Sequence, residues 1–458
     1  MQSGRRTVPR LDRETGGRGS EPRKPAFGDK YGKDQTGFLR TPSQNGYRRT
    51  FGSVTNCFYL DYFIIFAEFS AMTEQNLAHF DADDFLLNFW QKSPLLIRQA
   101  IPDFVCPLSP DELAGLACED YSESRLVLEK YGAKPWELRH GPFTDEHFAA
   151  LPDTHWTLLV QDVDKYDADV NALLDYFRFL PSWLLDDIMV SYAVTEGSVG
   201  PHTDQYDVFL LQASGQRRWQ VDRSTDYDRT SLHDTDLNIL QQFSPTDEWT
   251  LEPGDILYLP PGTPHHGMAV GECMTFSVGL RAPEATQLID ELLQDGMDID
   301  PTFFREVKTN ATHCHGEISI DSRDSIYRML KQHLTQLMQA SDEWLGKYLT
   351  RPKPGLEPVQ SGDPIDIAGL RSRYRAGDRL HIALGTRIAW AKADDGNYRL
   401  FADGNRFNFA APQLDQVRLL GMAKEFTQPQ LDQWIDSDRF ASILIALINQ
   451  GSIQFESP

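Results

Sequence analysis

A chain of 458 residues, 40% hydrophobic and 24% charged, can bury a sizeable core without disulfides or structural zinc. Its formal net charge of −23 is unevenly placed: residues 1–71 are net basic, 351–458 are balanced, and 72–350 carry the acidic excess. That middle region is unsuited to gripping nucleic acid, which rests on neutralising phosphates, and its field favours cationic partners. The five cysteines, Cys57, Cys106, Cys118, Cys273 and Cys314, form no CxxC pair, which points to a reducing, cytoplasmic compartment. His313-Cys314-His315 reads as a surface loop, because adjacent side chains on an extended chain point apart.

In chain order, residues up to about Ser53 are rich in Gly, Arg, Pro and Ser with no apolar period, which predicts disorder. The apolar run Cys57–Phe69 is too short to span a bilayer and is interrupted by Asp61 and Glu68. Globular patterning begins after Met72, so Met72 reads as the true start and 1–71 as a mis-called extension. Phe85–Trp90 is amphipathic and Leu95–Gln99 strand-like, and Pro110–Ala117 reads as a short helix with Pro at its first turn. Trp156–Val160 and Ile188–Val194 are strand candidates. Val208–Gln212 and Arg217–Val221, joined by Ala213–Gln216, read as a hairpin. Leu251–Gly262 is a turn, a strand and a second turn, and Met274–Leu280 is a further strand. Many short strands between Gly/Pro turns indicate a jelly roll. Beyond Pro283, Glu284–Gln294 and Arg323–Leu349 read as helices. The Pro-rich stretch Arg351–Pro358 marks a boundary, and the final hundred residues mix strands and helices in a small α+β domain.

The chemistry concentrates in Gly197-Ser-Val-Gly-Pro-His202-Thr-Asp204 and the later Pro261-Gly-Thr-Pro-His265-His266. In His-x-Asp on an extended segment both side chains fall on one face and share one ion. Two imidazoles and a carboxylate form the facial triad of non-haem iron(II) oxygenases, with three positions left for a bidentate 2-oxo acid and O2. His265 and His266 compete as the third ligand. A 2-oxo dicarboxylate also needs a cation, and Arg217 or Arg218 can supply it; alternation places Arg217 with Trp219 on one face and Arg218 on the other.

The segments Pro201–Phe209, Gly215–Trp219, Leu251–Gly262 and Ser277–Pro283 resemble the bacterial JmjC-type ribosomal oxygenases of the YcfD/RoxA group, as do Ser109–Ala117, Arg139–Phe143 and the chain end. The likeness covers essentially 72–458 and misses 1–71. It implies a JmjC double-stranded β-helix over 72–283, a helical dimerisation region over 284–350 and a winged-helix-like domain over 351–458, an α+β chain overall. It implies Fe(II) on His202, Asp204 and His265, 2-oxoglutarate on Arg217, and hydroxylation of an arginine in large-subunit ribosomal protein sixteen, a basic partner. The family also uses a cosubstrate-binding Ser where this chain has Ala193; Ser191, two residues earlier on the same face, is its substitute. Gln205, Tyr206 and Asp207 resemble the substrate-facing edge, with Asp207 the carboxylate for a guanidinium. A homodimer is expected, with no membrane and no direct DNA contact, since 351–458 lacks a basic excess. The alternatives are a JmjC hydroxylase or demethylase with another protein substrate, and a non-catalytic metal-binding cupin regulator.

Overall fold

The computed structural model describes residues 75–130, 134–295, 316, 318–340, 343–359, 362–432 and 434–456. The expectations for 1–71 and for His313-Cys314-His315 lie outside them. Eleven strands build the first part of the molecule: β1 (Leu95–Ile97), β2 (Ser124–Glu129), β3 (Trp136–His140), β4 (Trp156–Val160), β5 (Leu185–Ala193), β6 (Val208–Ser214), β7 (Arg217–Val221), β8 (Asp247–Leu251), β9 (Ile256–Leu259), β10 (His265–Ala269) and β11 (Cys273–Leu280). They form an eight-stranded sheet, β1-β9-β6-β11-β5-β4-β2-β3, and a three-stranded sheet, β10-β7-β8. The His202 segment bridges to His265 on the edge of the smaller sheet. The two sheets make the expected jelly roll.

Strand alternation sorts the large sheet's side chains into two environments. Ile188, Val190 and Tyr192 of β5, Phe276 and Val278 of β11, and Leu158 and Val160 of β4 enter the main apolar core. The helices Ala82–Asn88 and Pro110–Ala117 contribute Phe85, Leu113 and Ala117 to the same core. Each starts on a side-chain cap: Asp81 accepts from the Asp84 amide, and Ser109 and Glu112 form a capping box. A second apolar cluster, including Val208, Leu210, Trp219, Val221 and Leu257, lies between the sheets. β6 therefore has both faces buried.

The expected β6–β7 hairpin does not form. β6 pairs with β9 and β11, whereas β7 pairs with β8 and β10 in the other sheet. The intervening turn carries the chain across, with Gly215 at φ +61° and the Glu272 carbonyl 2.1 Å from where a Cβ would sit. A hairpin and a sheet-switching corner share one local pattern; only the demand of both β6 faces for apolar partners separates them.

After β11 the chain forms helices Ala285–Asp295, Ile320–Ala340 and Glu343–Thr350. The described helices Ile320–Ala340 and Glu343–Thr350 occupy the stretch expected to be helical over Arg323–Leu349. The last region holds β12 (Arg379–Ile382), β13 (Ile388–Lys392), β14 (Tyr398–Ala402), β15 (Asn405–Phe409), β16 (Glu425–Phe426) and β17 (Ile453–Glu456). They form the sheets β16-β12-β17 and β13-β14-β15, which share a core of their own with helices Ile367–Ala376, Leu414–Met422 and Asp438–Asn449. Among the described residues no helix is long and apolar enough to cross a membrane.

Candidate active site

The segment after β5 turns through Gly200 and presents His202 to β10. The amide of each histidine donates to the carbonyl of the other, His202 to His265 at 3.0 Å and His265 to His202 at 2.9 Å. The Gly262 amide donates to the Asp204 carbonyl at 2.7 Å and fixes the third residue. One ligand atom each from His202, Asp204 and His265 lies within 4.8 Å of the others. Both imidazoles are oriented identically: Nδ1 of His202 donates to the Gly200 carbonyl and Nδ1 of His265 to the Thr263 carbonyl, each at 2.9 Å. That leaves each Nε2 as a lone-pair donor. Burial, then the neighbouring His202, hold the His265 pKa below its ordinary value, so its imidazole is neutral at pH 7. His266 faces the other way and bonds Ser198 Oγ at 2.8 Å.

A cavity of about 350 Å³ opens from these three residues between the sheets, within the range of small-molecule sites. Toward the Ser191–Thr275 pair of β5 and β11, it holds Arg217, which is only 3% exposed. Arg217 Nη1 donates to Ser191 Oγ at 3.3 Å and Nη2 to the Gly267 carbonyl at 3.4 Å. Its Nε is buried without a partner, and among the described residues no carboxylate lies within ion-pair distance. The lack of a side chain at Gly267 makes the room: a Cβ there would stand 2.8 Å from Arg217 Nε. Burial lowers the Arg217 pKa, yet a guanidinium stays charged. A buried unpaired cation is costly, and an incoming carboxylate relieves that cost. Thr157 Oγ1 and Trp219 Nε1 line the same cavity and are also unpartnered. Ala193 packs against Ala269 and Cys273 and is not among the cavity-lining residues, so the hydroxyl beside Arg217 on β5 is that of Ser191.

Of the three residues on the expected substrate edge, only Tyr206 lines the cavity. Gln205 is exposed. Asp207 is buried elsewhere, accepting from Tyr258 Oη and, at 3.1 Å, from Gln91 Nε2. It anchors the segment rather than facing the cavity.

Besides Asp204, the cavity is lined by Asp186 and Asp187 of β5, and Asp187, 4% exposed, was unforeseen in the sequence. Its Oδ2 accepts from Gln161 Nε2 and from the Asp162 amide, and lies 3.8 Å from Lys353 Nζ. Its Oδ1, beside Gly279, has no hydrogen-bond partner among the described residues. Burial pushes its pKa up to about 6; Lys353 opposes that rise, and Asp162, Asp186 and Asp164 add to it. Met189, Ser277 and Arg125 stand nearby on the lining. One signal was available. Asp187, Ser191, Thr275 and Ser277 occupy alternate, inward positions on strands whose intervening Ile188, Val190, Phe276 and Val278 are apolar.

A two-sheet jelly roll with this His-x-Asp…His cluster is the architecture of a JmjC-type cupin, and the JmjC domain family model matches residues 172–288. A ROXA-like winged-helix model matches residues 330–454, beginning within the helix Ile320–Ala340. The Escherichia coli ribosomal protein uL16 3-hydroxylase is 33% identical over 377 residues, which is 81% of this chain and 97% of that protein. A probable ribosomal oxygenase of Haemophilus influenzae is 38% identical over 225 residues, 49% of this chain and 55% of its own. The solved structure of Escherichia coli YcfD, a ribosomal oxygenase in complex with cobalt and 2-oxoglutarate, is 31% identical. It superposes with a TM-score of 0.71, covering 83% of this chain and 99% of that one. The chain belongs to the JmjC ribosomal oxygenases of the YcfD/RoxA group.

Proposed function

We propose that this chain is an Fe(II)- and 2-oxoglutarate-dependent hydroxylase of an arginine in ribosomal protein uL16. The carrying observation is one cavity that joins three things: the His202–Asp204–His265 cluster, the unpaired buried cation Arg217, and the half-free carboxylate of Asp187. His202, Asp204 and His265 hold the metal, which when bound supplies the oxidation of 2-oxoglutarate and the hydroxylation of an unactivated carbon. Arg217 and Ser191 hold the distal carboxylate of 2-oxoglutarate, since a buried guanidinium with no carboxylate partner among the described residues is matched by that group. Oδ1 of Asp187 accepts from the substrate guanidinium, while Tyr206 and Met189 flank the alkyl chain and exclude water. Asp187 and Ser191, the hydroxyl partner of Arg217, both lie on β5, four residues, or about 13 Å, apart. That span separates the cosubstrate's anchor from the substrate's charged end, with the metal cluster contributed from the edge of the smaller sheet.

A dimer is part of the proposal, formed through 284–350, between the catalytic region 72–283 and the winged-helix-like region 351–458. Tyr327, Leu330 and Met338 form an exposed apolar stripe on Ile320–Ala340, with Ile289 and Leu293 exposed on the preceding helix. Leu330→Asp is expected to give monomers by light scattering. The cytoplasm is the expected compartment, and nucleic acid is not an expected ligand of 351–458. The deciding experiment is mass spectrometry of ribosomal proteins from cells with and without the gene. The expected result is a +16 change on one arginine of uL16, restored by the wild type and not by Asp204→Ala. A +16 change on histidine, or on another ribosomal protein, would assign a different substrate, and no oxidised residue at all would sink the reading.

A further inference from the structure

Asp187 is held from outside the catalytic sheets as well as from within. Lys353 lies in the segment after the helix Glu343–Thr350, beyond the whole catalytic region in sequence. Its Nζ reaches Asp162 Oδ1 at 2.9 Å, Asp186 Oδ2 at 3.0 Å and Asp187 Oδ2 at 3.8 Å. The other charges around this group are also accounted for. Arg387, the residue before β13, bonds Asp186 Oδ1 at 2.7 Å, and Arg281 follows β11 with its Nε 3.8 Å from the same atom. Asp164, fully buried, accepts from the Ile188 amide at 2.8 Å and pairs with Lys165, which donates to the Asp186 carbonyl at 3.1 Å. From β2, Arg125 Nη2 donates to Gln161 Oε1 at 3.0 Å, and Gln161 in turn donates to Asp187. Tyr206 faces Asp187 from the cavity side. Of all these cations, Lys353 is the one in ion-pair distance of Asp187 itself.

The geometry points to Lys353 as a positioning residue for the substrate cation: it holds the Oδ2 edge of Asp187 so that an ionised Oδ1 faces the cavity. The inference rests on the proposed role of Asp187. Without Lys353, four carboxylates (Asp162, Asp164, Asp186 and Asp187) share a buried junction with fewer cations. Asp187 then keeps its proton to higher pH, since like charges and burial both favour the neutral form. The same residue ties the segment leading to the C-terminal region into the wall of the cavity, so binding of the substrate's charged end depends on a residue outside the catalytic sheets.

The test uses the full chain and uL16, in anaerobic binding and in turnover with Fe(II) and 2-oxoglutarate. Lys353→Met is expected to raise Kd and KM for uL16 about tenfold at pH 7, the effect of a rise of roughly two pKa units on a binding carboxylate that starts at about 6. kcat and the affinity for 2-oxoglutarate should hold, and the defect should shrink as pH rises toward 9, where Asp187 ionises again. Lys353→Arg should restore most of the binding. Arg387→Met removes a cation that pairs with Asp186 at the same junction; it should lower the melting temperature without a pH-dependent change in KM. If Lys353→Met destabilises the fold, Lys353→Gln is measured in its place. Wild-type KM at every pH in the Lys353 variant would overturn the inference. So would equal, pH-independent losses in the Lys353 and Arg387 variants, which mean only a loosened junction. Asp187→Asn separates the two readings: if it leaves KM unchanged, the assignment of Asp187 itself falls, and if it raises KM while Lys353→Met does not, only the role of Lys353 falls.

Discussion

At the metal cluster, each histidine is oriented from within its own stretch of chain: His202 bonds the carbonyl of Gly200, and His265 that of Thr263. At Asp187 the supports come from Gln161, Asp162 and Lys353, the last far along the chain. The two parts of one cavity are thus built by opposite means, one by local backbone and the other by assembly of distant elements. Local orientation survives any disturbance that leaves the strands paired. Assembled orientation is sensitive to every element that contributes, and its charge state is shared among them.

The largest expected effect lies at the local site. Asp204→Ala should abolish metal-dependent succinate formation and weaken binding of a divalent ion such as cobalt, read by turnover and by titration. Next is Arg217→Met. Removing one partner of a buried charged pair costs about 2–5 kcal/mol, so 2-oxoglutarate should bind at least ~30-fold more weakly. The ligand-free variant should melt no lower than the wild type, because a buried unpaired cation has been removed; a lower melting temperature would mean that Arg217 is a structural residue. Asp187→Asn should raise KM for uL16 roughly 10- to 100-fold, the worth of a charge-assisted hydrogen bond, while the affinity for 2-oxoglutarate stays. The pH dependence has a definite sign. Only the carboxylate form takes a cation, so wild-type KM should rise as pH falls through about 6, and the variant should lack that inflection. The smallest effect sharpens the contrast between neighbours. Asp207→Ala breaks the bonds to Tyr258 and Gln91 and should cost about 1–3 kcal/mol of stability in denaturant unfolding, with KM for uL16 unchanged.

Legibility from sequence follows the same division. His202 and Asp204 were readable because two ligands two residues apart on an extended segment need no knowledge of the fold. Alternation put Arg217 and Arg218 on opposite faces without choosing between them, and only resemblance picked Arg217 and, likewise, His265 over His266; for the histidines the structure supplies the physical reason, a bond from His266 to buried Ser198. The jelly roll was legible from the rhythm of short strands, and the sheet-switching corner at Gly215 was not, since its local pattern is a hairpin's. Asp207 drew attention because it adjoins the metal motif, yet its partner Tyr258 lies on another strand and turns it inward. Asp187 went unseen for the converse reason: its one local mark is its phase with Ser191 on β5, and its environment exists only when β5, the segment after β4 and the Lys353 segment are brought together.

The turn at Gly215 has a consequence for traffic. It ties β6 of one sheet to β7 of the other within a few residues, so the two walls are stitched together next to Arg217. That end is a blind alley, while Tyr206, 40% exposed, marks the street side. On the proposed roles of Arg217 and Asp187, a molecule destined for Arg217 has to pass the berth of the peptide, so the proposal implies a queue: small acid first, protein second, with a peptide bound beforehand as a stopper against the acid.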